Sequence, residues 1–367
     1  MIPAPPRAFS TPPMDSPPDP GATGAAPDLD VGALGPWLAQ RLDGFRGPLR
    51  ATRFEGGQSN PTYLLQAGSQ RYVLRSKPGP AARLLPSAHA IEREFTVMRA
   101  LADSDVPVPR MHLLCEDESV IGRAFYVMEH VAGRVLWNQA LPDLPRAQRA
   151  ALYDEMNRVI ATLHCVDVGA AGLADYGKPG NYFERQIGRW SRQYQASITD
   201  PIDAMDRLIE WLPANIPAGD ETTIVHGDFR IDNTIFHPTE PRIVAVLDWE
   251  LSTLGHPLAD FAYHCMSWHI GHGGPFRGLG DIDHGALGIP TEPEHAAMYC
   301  RRMGRPPIDR RDWNFYLAYN LFRAAGIAQG IMKRVQDGTA ASLFALEAGK
   351  KARPMAEHGW EFAQKVG

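Results

Sequence analysis

Between Val225 and Glu250 the chain reads VHGDFRIDNTIFHPTEPRIVAVLDWE, and few arrangements of a chain satisfy that stretch. Thr234 to His237 is a short β-prone run, Pro238 to Pro241 is rich in turn formers, and Ile243 to Leu247 is apolar and dominated by β-branched residues. That is the pattern of a hairpin. If the chain reverses near Glu240 and Pro241, the start of the first strand lies beside the end of the second, so Asn233 and Asp248 meet. Asp228 falls in the loop just before them. Three polar residues therefore gather where the surrounding pattern predicts a buried, strand-rich core. A carboxylate and an amide at a strand end offer hard oxygen ligands of the kind that Mg²⁺ with nucleotide phosphates requires. The remaining carboxylate is then free to act as a base.

HGD alone is a short string, and an Asp or Asn beside a hairpin usually makes only local turn bonds. The complete set, with its spacing and the hairpin between its halves, is far more specific. His226-Gly227-Asp228 with Asn233, and Asp248 fifteen residues later, resembles the catalytic and metal-binding segments of aminoglycoside phosphotransferase-like kinases, which share the protein-kinase fold. In the kinase pattern the catalytic-loop Asp takes or orients the substrate hydroxyl proton, while the catalytic-loop Asn and a later Asp hold Mg²⁺. The resemblance thus implies Asp228 as base and Asn233 and Asp248 as metal ligands.

A chain of 367 residues, 44% hydrophobic and 22% charged, suffices for two lobes with a sizeable core. Its net charge of −5 gives no overall basic field, so nucleic acid is not an expected partner. Cys115, Cys165, Cys265 and Cys300 lie far apart and read as buried, reduced thiols. With no basic leader and no apolar run of spanning length, a cytoplasmic location without membrane insertion is expected.

The first stretch, to about Asp28, holds nine of the 32 prolines and almost no large aliphatic residues, so residues 1–30 read as a mobile tail. Val31 to Leu42 has Leu34, Trp37, Leu38 and Leu42 at helical spacing. A strand, glycine loop, strand, turn, strand order follows from Phe54 to Arg75. By the resemblance, Gly57, Ser59 and Asn60 lie in the loop over the nucleotide phosphates, where small residues let backbone N–H groups approach an anion. The third strand should supply a cation, and Arg75 stands where the kinase pattern has Lys; Lys77 shares its strand face. Ala90 to Leu101 reads as a helix with Glu94 as the partner of that cation and Glu92 as the fallback.

Ala124 to Glu129 reads as the last strand of the first lobe, and the hinge runs from Glu129 through Val131 to Gly133, with nucleotide contacts made mainly by backbone groups. Ala147 to His164 and Arg310 to Val335 are amphipathic core helices, with His164 a satisfied core histidine. Asp260 is expected to cap its helix and brace the catalytic loop. His264, His269 and His272 lack metal-site spacing, Gly271 to Gly288 reads as a substrate-facing loop, and the arginines from Arg301 to Arg311 read as a solvated face able to hold an anionic group.

The expected fold is α+β, two-lobed and protein-kinase-like: a first lobe of antiparallel sheet and helix over residues 31–131, and a mostly helical second lobe over 132–367. The expected activity is ATP- and Mg²⁺-dependent phosphorylation of a small-molecule hydroxyl. VLR near residue 75, LDWELSTLG at 247 to 255 and LFRAAGIAQG at 321 to 330 are most similar to the phosphotransferase branch related to kinase-like domains of acyl-CoA dehydrogenase fusions, which implies a hydroxyacyl-CoA-type acceptor. An antibiotic kinase and a catalytically silent nucleotide-binding module are the alternatives. Oligomeric state is left open.

Overall fold

A computed structural model of the protein describes the backbone of 22–25 and residues 28–54, 60–79, 90–272, 278–340 and 345–366. The first lobe is a six-stranded antiparallel sheet in the order β1-β2-β3-β4-β6-β5, built from β1 (Ala22–Ala25), β2 (Leu49–Phe54), β3 (Thr62–Ala67), β4 (Gln70–Ser76), β5 (Met111–Cys115) and β6 (Phe125–Glu129). Alternation along the strands divides its faces. Tyr63, Leu65, Leu74, Phe125 and Val127 pack with Leu34 and Leu38 of α1 (Val31–Ala39) on one side. Val73, Tyr126 and Met128 face Ile91, Phe95 and Met98 of α2 (Ile91–Ala100) on the other. Arg75 pairs with Tyr126 across β4 and β6, which puts it on the α2 side.

Two expectations for the beginning of the chain change. Ala22–Ala25, placed by composition in the tail, pairs with β2 as an edge strand, a role that needs backbone pairing rather than bulky side chains. Asp28 also joins the fold: its carboxylate accepts from the Tyr63 hydroxyl at 2.5 Å and from Arg123 at 3.4 Å. Burial and this carboxylate push the Tyr63 hydroxyl up to about 12.

The second lobe begins with the short β7 (Arg134–Val135) and α3 (Arg146–His164), whose Leu152, Met156, Val159, Ile160 and Leu163 are all buried as their spacing predicts. Next come α4 (Tyr182–Ala196), α5 (Asp203–Ala214) and β8 (Thr223–Val225). The expected hairpin is β9 (Thr234–Phe236) and β10 (Ile243–Val246), with β7 as a third strand on the β9 side and β8 pairing separately with β11 (Thr253–Gly255). Helices α6 (Pro257–Cys265), α7 (His284–Leu287), α8 (Glu292–Arg302), α9 (Arg310–Gln336), α10 (Ala345–Gly349) and α11 (Ala352–Gln364) complete the lobe, with α9 running through its core. No helix among the described residues is long and apolar enough to cross a membrane. All four cysteines are free, but Cys165, the residue that follows α3, is exposed rather than buried.

Candidate active site

The HGD turn is held by three elements. β8 delivers His226, fully buried, whose ring lies 4.7 Å from that of Trp249 and whose Nε2 meets the Leu247 carbonyl at 2.9 Å. Asp260 of α6 accepts from the backbone N–H groups of His226 at 2.7 Å and Gly227 at 2.8 Å, one on each oxygen, and contacts His164 Nε2 at 3.2 Å. Burial alone would raise the Asp260 carboxyl; His164 and the His226 bonds outweigh it and hold the group below the usual carboxylate range. Arg323 of α9 donates to the Gly227 carbonyl at 2.7 Å. Gly227 has φ +83°, and a Cβ there would stand 2.7 Å from the Leu251 carbonyl, so the turn requires glycine.

Asp260 braces the loop as expected, but it does not cap α6. Pro257 occupies the start of that helix, so the cap falls one residue earlier, on His256, whose Nδ1 accepts from the Leu258 N–H at 3.2 Å. Burial pushes the His256 imidazole down to about 4. His164 is the core histidine expected, with Nδ1 against the Tyr299 hydroxyl at 2.7 Å.

Asp228 emerges from this clamp with both oxygens engaged: Oδ1 accepts from the Tyr263 hydroxyl at 2.5 Å and Oδ2 from Asn233 Nδ2 at 3.0 Å. The same Asn233 nitrogen reaches the Asp228 carbonyl at 2.9 Å, which leaves the amide oxygen as the group available to a cation. The Leu247 N–H donates to the Asn233 carbonyl at 2.8 Å, so the hairpin brings Asn233 and Asp248 together as its geometry predicts. Asp248 lies in the left-handed region at φ +62°, a conformation uncommon for residues other than glycine and characteristic of functional turns.

Arg75 reaches both lobes. Its Nε lies 3.0 Å from Glu94 Oε2 of α2, and its NH2 lies 2.8 Å from Asp248 Oδ1 and 3.4 Å from Glu250 Oε2. Burial would lower this guanidinium, but Glu94, Tyr126 and Asp248 together raise it. Glu94, 1% exposed, also accepts from Asn60 Nδ2 and the Tyr126 hydroxyl, each at 3.0 Å; burial nonetheless pushes its carboxyl up. Lys77 pairs with Glu92, so the two cation and carboxylate candidates sort into separate pairs.

Of the three expected loop residues, Asn60 alone lies among the described residues. It is buried and its side chain turns to Glu94, because a buried carboxylate needs donors on each oxygen. Gly57 and Ser59 lie outside the described residues.

Between the lobes lies a cleft of about 260 Å³. Val73, Met98, Met128, Val135 and Leu247 give it apolar walls; Glu129 and Val131 edge it at the hinge; Arg75, Asn233 and Asp248 line it too. An apolar slot with a cation, an amide and a carboxylate suits a flat base carrying a metal-bound polyphosphate. The donor set fits Mg²⁺, which binds through one or two protein oxygens together with substrate phosphates rather than in an all-protein cage. Among the described residues no three His, Cys, Asp or Glu side chains form such a cage. The three histidines of the 264–272 stretch go to different partners, His264 to His295, His269 to Glu292 and His272 to the Gly278 carbonyl.

Four residues at this site escape sequence reading. Tyr263 sits one helical turn after Asp260, so both reach the HGD loop from one face of α6, an i, i+3 relationship visible in the sequence. Arg323 is a lone charge among buried Leu321, Phe322 and Ala325 of α9. Arg230 Nε lies 4.0 Å from Asp228 Oδ1, and its guanidinium is held by Asp232.

Two lobes closing on an apolar cleft, with an Asp, Asn and Asp at a hairpin beside it, define a kinase-like phosphotransferase fold. A model of the phosphotransferase enzyme family (APH) matches residues 50–297, and the chain belongs to that family. It is 50% identical over 322 residues to acyl-CoA dehydrogenase family member 10 of Mus musculus, covering 88% of this chain and 30% of that protein. It is 42% identical over 361 residues to family member 11 of Homo sapiens, covering 95% of this chain and 46% of that one. The chain thus spans less than half the length of these curated relatives. A solved Ralstonia eutropha structure bearing the name aminoglycoside phosphotransferase is 61% identical, with a TM-score of 0.84 over 92% of this chain and 99% of that one. A thermostable mutant of the aminoglycoside phosphotransferase APH(4)-Ia, solved with ADP and hygromycin B, shares 15% identity at a TM-score of 0.59 over 90% of this chain and 98% of that one, a likeness of fold alone.

Proposed function

We propose that the protein transfers the γ-phosphoryl group of ATP to a hydroxyl of a small molecule, with a hydroxyacyl-CoA-type thioester as the acceptor. The observation that carries this reading is Asp228, clamped from both sides beside a cleft whose walls hold Asn233, Asp248 and Arg75. Asp228 accepts the proton of the attacking hydroxyl, and its two hydrogen bonds keep the carboxylate aimed without neutralising it. Asn233 through its amide oxygen and Asp248 through its carboxylate would hold Mg²⁺. The ion, when bound, neutralises charge on the nucleotide phosphates. Arg75, anchored by Glu94, lies ready to bind a phosphate oxygen, and exchanges its Asp248 contact for the nucleotide. Residues Glu129 and Val131 edge the slot for the base.

The thioester class is supported by the relatives named for acyl-CoA dehydrogenases, in which the matched segment is under half of the protein. The test is a panel of acceptors with γ-labelled ATP: hydroxyacyl-CoA thioesters, the free hydroxy acids, hygromycin B and kanamycin. Label on the thioesters is expected. Label on an aminoglycoside alone would replace the acceptor, and ATP binding without transfer to any member would favour a silent module.

A further inference from the structure

The contacts behind Asp228 lead outward in one direction. Arg323, which holds the Gly227 carbonyl, has its guanidinium 4.9 Å from the Tyr263 ring centre and 5.7 Å from that of Trp190. Trp190 lies on the buried face of α4, so α4 forms the wall beyond the catalytic loop. Its outer face carries Arg185, Arg189 and Arg192 at i, i+4 and i+7, and Lys178 joins them from the preceding loop around an open cleft of about 830 Å³. Glu184 is the one acidic side chain among the described lining residues.

Several arginines elsewhere on the surface are paired with carboxylates. Arg158 lies on Glu155 at 2.7 Å, Arg302 on Asp154 at 2.7 Å and Arg305 on Glu221 at 2.9 Å. The run after residue 300, expected to be able to hold an anionic group, therefore has two of its arginines already committed to carboxylates. On α4 the case differs: among the described residues neither Arg189 nor Arg192 has a carboxylate within ion-pair distance. Like charges one turn apart on a helix repel, and in a chain of net charge −5 their clustering without counter-charges is a cost that a bound anion would relieve.

We infer that the α4 cleft binds the phosphate-bearing end of the acceptor while its hydroxyl lies at Asp228. This rests on the phosphotransferase reading and adds to it a second subsite for phosphate or diphosphate esters. Guanidinium forks at i and i+4 suit such oxygens, which they can grip bidentately. A polycationic drug would be repelled by the same face, so the cleft also separates the thioester reading from the antibiotic one.

The test fills the nucleotide cleft with saturating Mg²⁺ and AMP-PNP, then titrates coenzyme A, and separately inorganic pyrophosphate, by calorimetry at low salt. The expected result is that wild type binds both probes. The Arg189→Gln/Arg192→Gln variant should bind them about tenfold or more weakly, the Arg189→Lys/Arg192→Lys variant should lose less, and AMP-PNP affinity should stay unchanged in all three, which also reports correct folding. Added salt should weaken the wild type more steeply than the Gln variant. Failure of wild type to bind coenzyme A, or equal affinity in wild type and Gln variant, overturns the inference. Unchanged KM for a hydroxyacyl-CoA acceptor in the Gln variant overturns it too, while leaving the phosphotransferase reading intact. Arginine-dependent coenzyme A binding with no phosphorylation of any thioester would leave an anion site on α4 but overturn its role in holding the acceptor, and would remove the thioester as that acceptor.

Discussion

The Tyr263 hydroxyl lies 2.5 Å from Asp228 Oδ1, and Asn233 Nδ2 lies 3.0 Å from Oδ2, so helix α6 and the catalytic hairpin each fix one oxygen of the same carboxylate. Burial and the adjacent carboxylate push the Tyr263 hydroxyl above its ordinary value, so it remains a donor at any working pH. Tyr263→Phe removes one hydrogen bond to a charged group, an interaction of about 1.5–3 kcal/mol. Turnover should fall about 10- to 100-fold, with ATP affinity nearly unchanged, because Tyr263 does not line the nucleotide cleft. Steady-state turnover and calorimetric ATP affinity check this; wild-type turnover in the variant would deny Tyr263 a positioning role.

Arg75 and Glu94 make a second testable pair. Arg75→Met leaves Glu94 buried with its cation gone, and breaking such a pair costs about 3–5 kcal/mol. The Arg75→Met/Glu94→Met double variant should regain much of that stability yet still bind ATP poorly. Urea unfolding and ATP titration of the three variants separate the roles. Full ATP affinity in the double variant would remove Arg75 from phosphate binding.

Below the catalytic loop, His264 packs its ring 5.6 Å from that of Phe229, and burial pushes its imidazole down to about 4. An unfolded histidine titrates near 6.5. Between those values the unfolded chain holds a proton that the folded chain does not, so stability falls as the pH drops from about 6.5 to 4, by about 3 kcal/mol for this group at the full extent. His295, 3.1 Å away and also held low by burial, acts in the same direction. The urea midpoint should rise from pH 4.5 to 7, and His264→Asn should flatten the rise. A midpoint independent of pH across that window would contradict the account.

What the sequence disclosed follows the distance over which each feature is determined. Asn233 and Asp248 could be placed together because a local hairpin sets their register, and Leu152 to Leu163 because one helix period does. Arg75 with Glu94 came from a resemblance, and the contact it implied is present. The geometry of Tyr263 and Arg323 depends on packing between elements 35 and 96 positions apart, which no local pattern records. The bond from Asn60 to Glu94, a buried carboxylate of another element, likewise leaves no local trace. The cap of α6 shifted to His256 because Pro257 fixes the first helical residue.

Asp228→Asn tests the central claim most directly, since it keeps the size of the side chain and removes its ability to take a proton. With the acceptor identified by labelled ATP, single-turnover transfer and Mg²⁺-ATP affinity are measured in both proteins. The account predicts a loss of transfer of about 10²-fold or more with ATP affinity within about twofold of wild type. Transfer near the wild-type rate in Asp228→Asn would contradict it.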